Sequence, residues 1–480
     1  MSDSPLVLAI DLGGHSARAI VVGRDGGIVA EAGAPIETRR PRDGWVEHDA
    51  QQVVRCVREA VDGAARVLGP RIGEVGAAGL ATQRSSVVCW DRRDGTPLSP
   101  VISWQDRRGA DRVSALAGEA GSIRAATGLV LSPHYGASKL RWCLDELPAV
   151  RAALDDNCLA CGPIASFVLF RMLDERPLVV DPANASRTQL WDLSTGDWSP
   201  ALLELFGVPR APLPACVPNE YAFGHLMLGS RRVPLTVCTG DQSAALFAQG
   251  TPRPGTAWIN AGTGAFVQKV VGDRPADAPR LLSSLVWQDR GSSTYVLEGT
   301  VNGAATALVL VREQLGLDPA DRAGDTARWL RRQIEPPLYL NGVAGLGSPW
   351  WRPDFRSRFV GDGEPWQKIV AVVESIVFLL AVNLQEIGPV DRVIISGGLS
   401  SLDGLCSRLA DVAGVAVERP TVHEATARGL AWLVAGRPTP WDEPGPMTTF
   451  APEANPPLVS RYRRWHAAMS DGLGYNTNHV

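Results

Sequence analysis

Two distant segments of the chain repeat one device, and that repetition constrains the fold more than any other feature. Residues 6–10 read as an apolar strand, Asp11-Leu12-Gly13-Gly14-His15-Ser16 as a turn, and residues 17–22 as a strand running back. Residues 256–260, the turn Ala261-Gly262-Thr263-Gly264 and residues 265–271 do the same in the second half. A chain of 480 residues is too long for one ordinary core, because domains usually hold about 100–200 residues. The repeat therefore implies two related domains, each opening with a hairpin whose tight turn faces a shared cleft. The breaker-rich Gln249-Gly250-Thr251-Pro252-Arg253-Pro254-Gly255 sets the boundary near residues 248–256, dividing the chain into 1–250 and 251–480.

Within each half, strands at 75–80 and 392–396 alternate with helical stretches at 51–68, 366–387 and 424–435, which makes the class α/β. Residues 338–340 read as a strand leading into a Gly-rich loop, 341–348, that approaches the cleft. Residues 272–279 and 438–457 are rich in Pro, Gly and Asp and read as surface loops. The most apolar run, 369–384, is broken by Glu374, Ser375 and Asn383 and reads as a buried core helix, not a membrane span. A net charge of −4 supplies no basic field for nucleic acid or an anionic membrane, so neither partner is expected. The N-terminus carries no secretory leader pattern, and the eight cysteines and seven histidines show no zinc spacing. The expectation is a reduced, cytoplasmic protein without a protein-held transition metal. Only Lys139, Lys269 and Lys368 of the 47 basic residues are lysine, a bias with no functional reading at this level.

Three glycine turns follow apolar strands: Gly13-Gly14-His15-Ser16, Gly262-Thr263-Gly264 and Ser396-Gly397-Gly398-Leu399-Ser400. Glycine admits close approach and positive φ, so successive amides can form a concavity for phosphate; the third turn also leads into a helix whose N-terminus favours negative charge. The chain has no GxxxxGK[ST] and no GxGxxG between strand and helix, which disfavours Walker-type and dinucleotide folds. Two acids end strands beside glycine. Asp11 suits a Mg²⁺ bridging phosphates, and Asp241, in Thr239-Gly240-Asp241-Gln242, suits a base taking a proton from a hydroxyl. Capping of a turn is the commoner alternative for an acid so placed. Thr82-Gln83-Arg84-Ser85 and Trp104-Gln105 with Arg107-Arg108 place donors and a flat indole at strand ends, equipment for a hydroxylated carbon chain. As isolated segments they equally fit salt-bridged surface turns, with Trp104 as a packing anchor.

Taken in order, these segments resemble the FGGY carbohydrate kinases, and glycerol kinases among them. The resemblance spans nearly the whole chain through Ile10-Asp11-Leu12-Gly13, Gly44-Trp45-Val46-Glu47-His48-Asp49, Thr82-Gln83-Arg84, Ser138-Lys139-Leu140-Arg141-Trp142, Asn184-Ala185-Ser186-Arg187-Thr188, Gly240-Asp241-Gln242, Gly262-Thr263-Gly264, Gly345-Leu346-Gly347, and Gly397-Gly398 with Glu418-Arg419-Pro420. It implies two actin-like ATPase domains of ribonuclease H type around a cleft, with ATP and Mg²⁺ phosphorylating a hydroxyl of a small polyol or sugar. By position, Asp241 matches the general base and Asp11 the carboxylate near Mg²⁺. Gln83, Arg84, Ser85, Trp104, Tyr135, Asp241, Gln242 and Phe266 match the acceptor-binding set. Gly13, Gly14, His15, Ser16, Arg18, Gly262, Thr263, Gly264, Gly397 and Gly398 match nucleotide contacts. Dimers and tetramers are common among such kinases, so a homodimer or homotetramer is implied.

The chain departs from that pattern at four places. Ser85 stands where glycerol kinases carry a Glu that accepts hydrogen bonds from glycerol, which enlarges the pocket, removes a charged acceptor and points to a longer polyol or sugar, although serine with a water still suits glycerol. Gly14-His15 replaces two threonines of the phosphate turn; His15 reads as phosphate-facing, with simple packing as the alternative. Val309 and Leu402 take two nucleoside-contact positions usually held by amide side chains. The regulatory loop is shortened to Leu228-Gly229-Ser230-Arg231-Arg232, from which no inhibition by a sugar bisphosphate is expected. Two other readings share the fold. A pentulose or ketose kinase is opposed by Thr82-Gln83-Arg84, since xylulokinases resemble Gln-Met-His there; a nucleotide-binding protein without transfer activity is opposed by the retention of both Asp11 and Asp241.

Overall fold

The computed structural model describes residues 6–23, 25–289, 291–318, 323–332, 334–421, 424–438 and 446–474; residues 1–5 and 439–445, on which the leader and tail readings partly rest, lie outside them. Two sheets carry the molecule. In the first, the hairpin strands Leu6–Leu12 and Ser16–Val22 pair antiparallel, and Ile28–Pro35 extends the sheet beyond the second. On the other side of Leu6–Leu12, Val75–Thr82 and then Arg231–Gly240 pair parallel, and Glu220–Leu228 closes the edge. The second sheet repeats this order. Thr256–Ala261 and Ala265–Gly272 form its hairpin, Ser293–Val301 and Leu282–Gln288 extend it antiparallel, and Arg392–Ser396 and Ala416–Pro420 add in parallel on the opposite side. The doubled α/β architecture expected from the two glycine hairpins is thus the fold observed.

The first strand shows why an unbroken apolar run was required. Leu6, Leu8, Ile10 and Leu12 enter the core beneath helix Ala50–Leu68, whereas Val7 and Ala9 face the opposite way into a cluster with Leu430, Ala431 and Leu433. Side chains alternate along a strand, so one covered on both faces has no solvent side and reads as continuously apolar. The second face is covered by helix Ala425–Val434 from the other half of the chain. Two glycines permit that docking: a Cβ at Gly79 would lie 2.5 Å from Val434 Cγ2, and one at Gly429 would lie 1.8 Å from the Ala244 carbonyl oxygen. The backbone at Ala244 cannot yield as a flexible side chain would, so Gly429→Ala is expected to cost about 1–3 kcal/mol through overpacking. A denaturant midpoint unchanged from wild type would contradict this close approach.

Helix Pro365–Ile387 runs through the centre of the second core, with a capping box between Glu364 and Gln367 and Pro365 in the first turn, where no N–H is needed. It is long and apolar enough to cross a membrane, yet 89% of its most apolar window is buried within the protein. Its buried acid, Glu374, is neutralised by Arg461, whose Nε and Nη2 donate to its carboxylate at 2.8 and 2.7 Å. The expected loop 438–457 is corrected in part. Met447–Phe450 is a strand paired antiparallel with Ala416–Pro420, and Pro456-Pro457 opens helix Pro456–Gly472. Proline density read as a breaker was a helix start, and Trp465 anchors that helix in the core, its Nε1 donating to the Tyr339 carbonyl at 2.9 Å.

Candidate active site

The two hairpin turns meet across one cleft of about 680 Å³, open to solvent. Gly14 and His15 line it from the first half, Gly262, Thr263 and Gly264 from the second, and Asp241 and Gln242 from its floor. Gln83, Trp104 and Gln105 form one wall, Phe266 the facing one, and the Trp104 and Phe266 rings stand edge to face with centroids 6.5 Å apart. A Cβ on Gly14 would lie 3.7 Å from Gln83 Oε1 and 4.0 Å from Trp104 Nε1, so the first turn lies directly over that wall. Gly13 N–H donates to the Ser16 carbonyl at 3.0 Å and Gly262 N–H to the Gly264 carbonyl at 2.8 Å, so these two amides close their own turns. A Cβ at Gly264 would sit 2.9 Å from the Val301 carbonyl oxygen, which explains glycine there. The carbonyls of Gly262 and Thr263 accept from the amides of Ala305 and Ala304, each at 3.0 Å, fixing the second turn on the start of helix Ala305–Gln314.

Asp241 begins the short helix Asp241–Ala245 at the end of strand Arg231–Gly240, and its Oδ1 accepts from Gln242 N–H at 2.7 Å. Burial pushes its carboxyl pKa up, against the pull of Arg84. Asp11 is raised to about 7, first by burial and then by the charge of Asp241, with Arg18 opposing and Glu424 adding to the rise. Arg18 itself is held by Glu424 from the second half.

Not all the expected residues share the open cleft. Arg84 and Tyr135 lie beneath its wall, 7% exposed each. There Arg84 Nη2 donates to Glu298 Oε2 at 3.2 Å, Arg187 to Glu298 Oε1, and Gln268 Nε2 to Glu298 Oε2 at 2.9 Å. Burial alone would raise the Glu298 pKa, but Arg187 and Arg84 outweigh it and hold the carboxyl at about 2. Among the described residues Arg84 Nη1 has no hydrogen-bond partner, and burial pushes the Tyr135 pKa up to about 12. Ser85 is a non-glycine residue in the left-handed region, at φ 64°. Gly397, at φ 88°, packs against the Ala261 carbonyl and the Asn260 side chain, and Gly398 opens a 3₁₀ turn, Gly398–Ser401, before helix Asp403–Ala413. That helix begins with its own acid, Asp403, paired with Arg419 at 2.8 Å. Leu402 is 4% exposed in the core, whereas Val309 is exposed on helix Ala305–Gln314. The segment Leu228-Gly229-Ser230-Arg231-Arg232 is a tight hairpin in which Leu228 pairs with Arg231 and Gly229 takes φ 58°.

Sequence reasoning did not single out Glu298, Arg187, Lys139, His48 or Asn260 as site residues. An acid inside the apolar strand Ser293–Val301 was the available signal for Glu298, because a buried carboxylate needs a cation. His48 lines the cleft, 2% exposed, with Nδ1 3.1 Å from the Glu37 carbonyl oxygen; burial first, partly offset by that bond, lowers its pKa.

Comparison with known proteins decides what this cleft belongs to. Residues 6–248 match the N-terminal domain of the FGGY family of carbohydrate kinases, and residues 257–436 match its C-terminal domain. The chain belongs to the FGGY family of carbohydrate kinases. It is 36% identical over 448 residues to a glycerol kinase of Methylobacterium nodulans, covering 89% of this chain and 88% of that one. It is 35% identical over 491 residues to a glycerol kinase of Dechloromonas aromatica, covering 97% of each. Among solved structures, Plasmodium falciparum glycerol kinase with ADP superposes with a TM-score of 0.86 at 22% identity, covering 99% of both chains. Xylulose kinase from Rhodospirillum rubrum superposes with a TM-score of 0.82 at 22% identity, covering 97% of this chain and 98% of that one. This FGGY kinase has the actin-like ATPase fold in two domains. It is an ATP-dependent phosphotransferase acting on an alcohol group of a polyol or sugar.

Proposed function

We propose that this kinase phosphorylates a small polyol in the manner of glycerol kinases, in the cytoplasm, with Asp241 as general base. The observation that carries the reading is that Asp241 lines the same cleft as Gln83, Trp104 and Phe266 and as both glycine turns. A carboxyl raised by burial is a better base near neutral pH than a solvated one, and a positioned base contributes about 10²–10⁴-fold. Residues 1–250 would hold the acceptor and residues 251–480 most of the nucleotide. Gln83, Trp104, Gln242 and Phe266 line the acceptor side, with the buried Arg84 and Tyr135 behind it and the half-buried Ser85 next to Arg84 in the chain. Gly14, His15, Thr263 and Gly264 face the phosphates, and Arg18 supplies a cation beside them. Closing of the two halves excludes water that would otherwise accept the phosphoryl group.

Asp11 fits Mg²⁺ on the electrostatics of its surroundings. Burial beside Asp241 and Glu424 gives it an unfavourable charge that only Arg18 relieves. A divalent cation there would neutralise charge on the transferring phosphoryl oxygens. Asp11 would hold the ion, directly or through water, while Asp241 takes the hydroxyl proton.

Ser85 gives the acceptor wall no charged acceptor, so the favoured substrate is a polyol or sugar longer than glycerol. ADP release with Mg·ATP, measured across glycerol, erythritol, the pentitols, the ketopentoses and the hexoses, tests this. Turnover is expected to favour a four- or five-carbon polyol. Ser85→Glu is expected to shift kcat/KM towards glycerol by about 10–100-fold, the worth of one charge-assisted hydrogen bond. Silence of the wild type across the panel would refute the kinase reading, and a glycerol preference untouched by Ser85→Glu would refute the reading of the pocket.

A further inference from the structure

Lys139 is a fully buried charged residue, at 0% exposure in helix Gly136–Glu146. Its ammonium donates to the carbonyl oxygens of Ser85 at 3.1 Å, Ser103 at 2.7 Å and His134 at 2.6 Å. These carbonyls belong to three separate turns: one after strand Val75–Thr82, one after strand Val101–Ile102, and one just before the helix that carries Lys139. Each is an acceptor-wall residue or its immediate neighbour: Ser85 itself and Arg84, then Trp104, then Tyr135. Secondary contacts knit the same turns. His134 Nδ1 lies 3.0 Å from the Trp104 carbonyl oxygen, and Trp104 N–H donates to Ser86 Oγ at 2.9 Å, which in turn donates to Gln83 Oε1 at 3.1 Å.

The partners are carbonyls rather than a carboxylate, which is an expensive way to bury a charge. The nearest acid on that side, Asp106, is already committed to Arg108 at 2.8 and 2.9 Å and to Val46 N–H at 2.6 Å. Burial pushes the Lys139 pKa down to about 7, with Asp106 opposing and Arg108 adding to the fall. What an ammonium offers is three donors diverging from one point, which the planar fork of an arginine cannot reproduce. In a chain with three lysines among 47 basic residues, lysine at this convergence of three carbonyls is the chemically required choice. The left-handed backbone at Ser85 turns its carbonyl into that convergence.

We infer that Lys139 is a positioning residue for the sugar or polyol acceptor: its ammonium draws three turns into one wall and sets the mutual placement of Arg84, Ser85, Trp104 and Tyr135. The inference rests on the reading that these residues bind the acceptor. Its ammonium bonds to neither glycine turn, and the wall it organises meets the first turn only at its edge, through Gln83 and Trp104, so ATP KM should move far less than acceptor KM. Lys139→Met keeps the length and removes every donor. It is expected to raise acceptor KM by about tenfold to a hundredfold, the cost of misplacing binding groups by about 1 Å, while ATP KM stays within about twofold. Lys139→Arg is expected to rescue little of that loss, since charge alone is not what the site uses. Should Lys139→Met not fold, Lys139→Gln, with two donors, is read the same way. A wild type active on some acceptor, with acceptor KM unchanged in these variants or with acceptor and ATP KM raised alike, overturns the positioning role and leaves the kinase reading standing. A wild type silent on every acceptor overturns both.

Discussion

Asp241→Asn is expected to abolish turnover while leaving ATP binding intact. The amide keeps the size and the hydrogen bond at Gln242 N–H but cannot take the proton of the attacking hydroxyl. The loss should be about 10²–10⁴-fold in kcat, the usual worth of a positioned base, with ATP affinity by calorimetry unchanged. Removing a carboxylate beside Asp11 also lifts one of the charges that raise the Asp11 pKa, so the variant should bind Mg·ATP no more weakly than wild type. Retention of more than a tenth of wild-type kcat would exclude Asp241 as the base. Loss of ATP binding in parallel would instead give the residue a part in shaping the cleft.

Glu298→Gln should be the most destabilising of the conservative changes. Glu298 is 1% exposed, and its carboxylate is shared by Arg84 and Arg187 from the first half of the chain while the residue itself belongs to the second. The amide leaves two buried guanidinium groups without their counter-charge. Breaking a buried pair from one side costs about 3–5 kcal/mol. The depressed carboxyl points the same way: a shift from the ordinary 4.5 to about 2 is of order 3 kcal/mol, because one pKa unit is worth about 1.4 kcal/mol. The sign follows from the direction: a depressed carboxyl contributes its full stability above pH 4.5 and loses it as pH falls through the window from 4.5 to about 2. Wild-type unfolding free energy should therefore drop across that window, and the Glu298→Gln variant should show a flatter acid limb. Denaturant titrations at pH 7 and at pH 3 check both. Equal stability of the two proteins at pH 7 would show that the cluster adds nothing net to the union of the halves.

The same variants separate two kinds of buried charge in this molecule. Glu298 is neutralised by guanidinium groups and joins the halves, whereas Lys139 donates its hydrogen bonds to carbonyl oxygens of the wall turns. Loss of the first should appear mainly as stability, and loss of the second mainly as acceptor KM.

Much of this protein is legible in its sequence alone. The strand, glycine turn and returning strand recur in both halves because local rules dictate them: period-two apolar alternation, and residues without a Cβ where backbones approach closely. Asp11 and Asp241 are legible for the same reason, since an acid ending an apolar strand beside glycine is conspicuous in one dimension. The proline-rich tail misleads because Pro456-Pro457 suits the first turn of a helix as well as a loop, and only the core contact of Trp465 selects between them. What tertiary structure alone decided are the pairings across long separations. Glu298 meets Arg84 and Arg187 over 214 and 111 residues, and Lys139 meets Ser85 over 54. No local pattern encodes such partners, because a buried charge is specified by what surrounds it in space, and those surroundings exist only once the two sheets and their turns have packed.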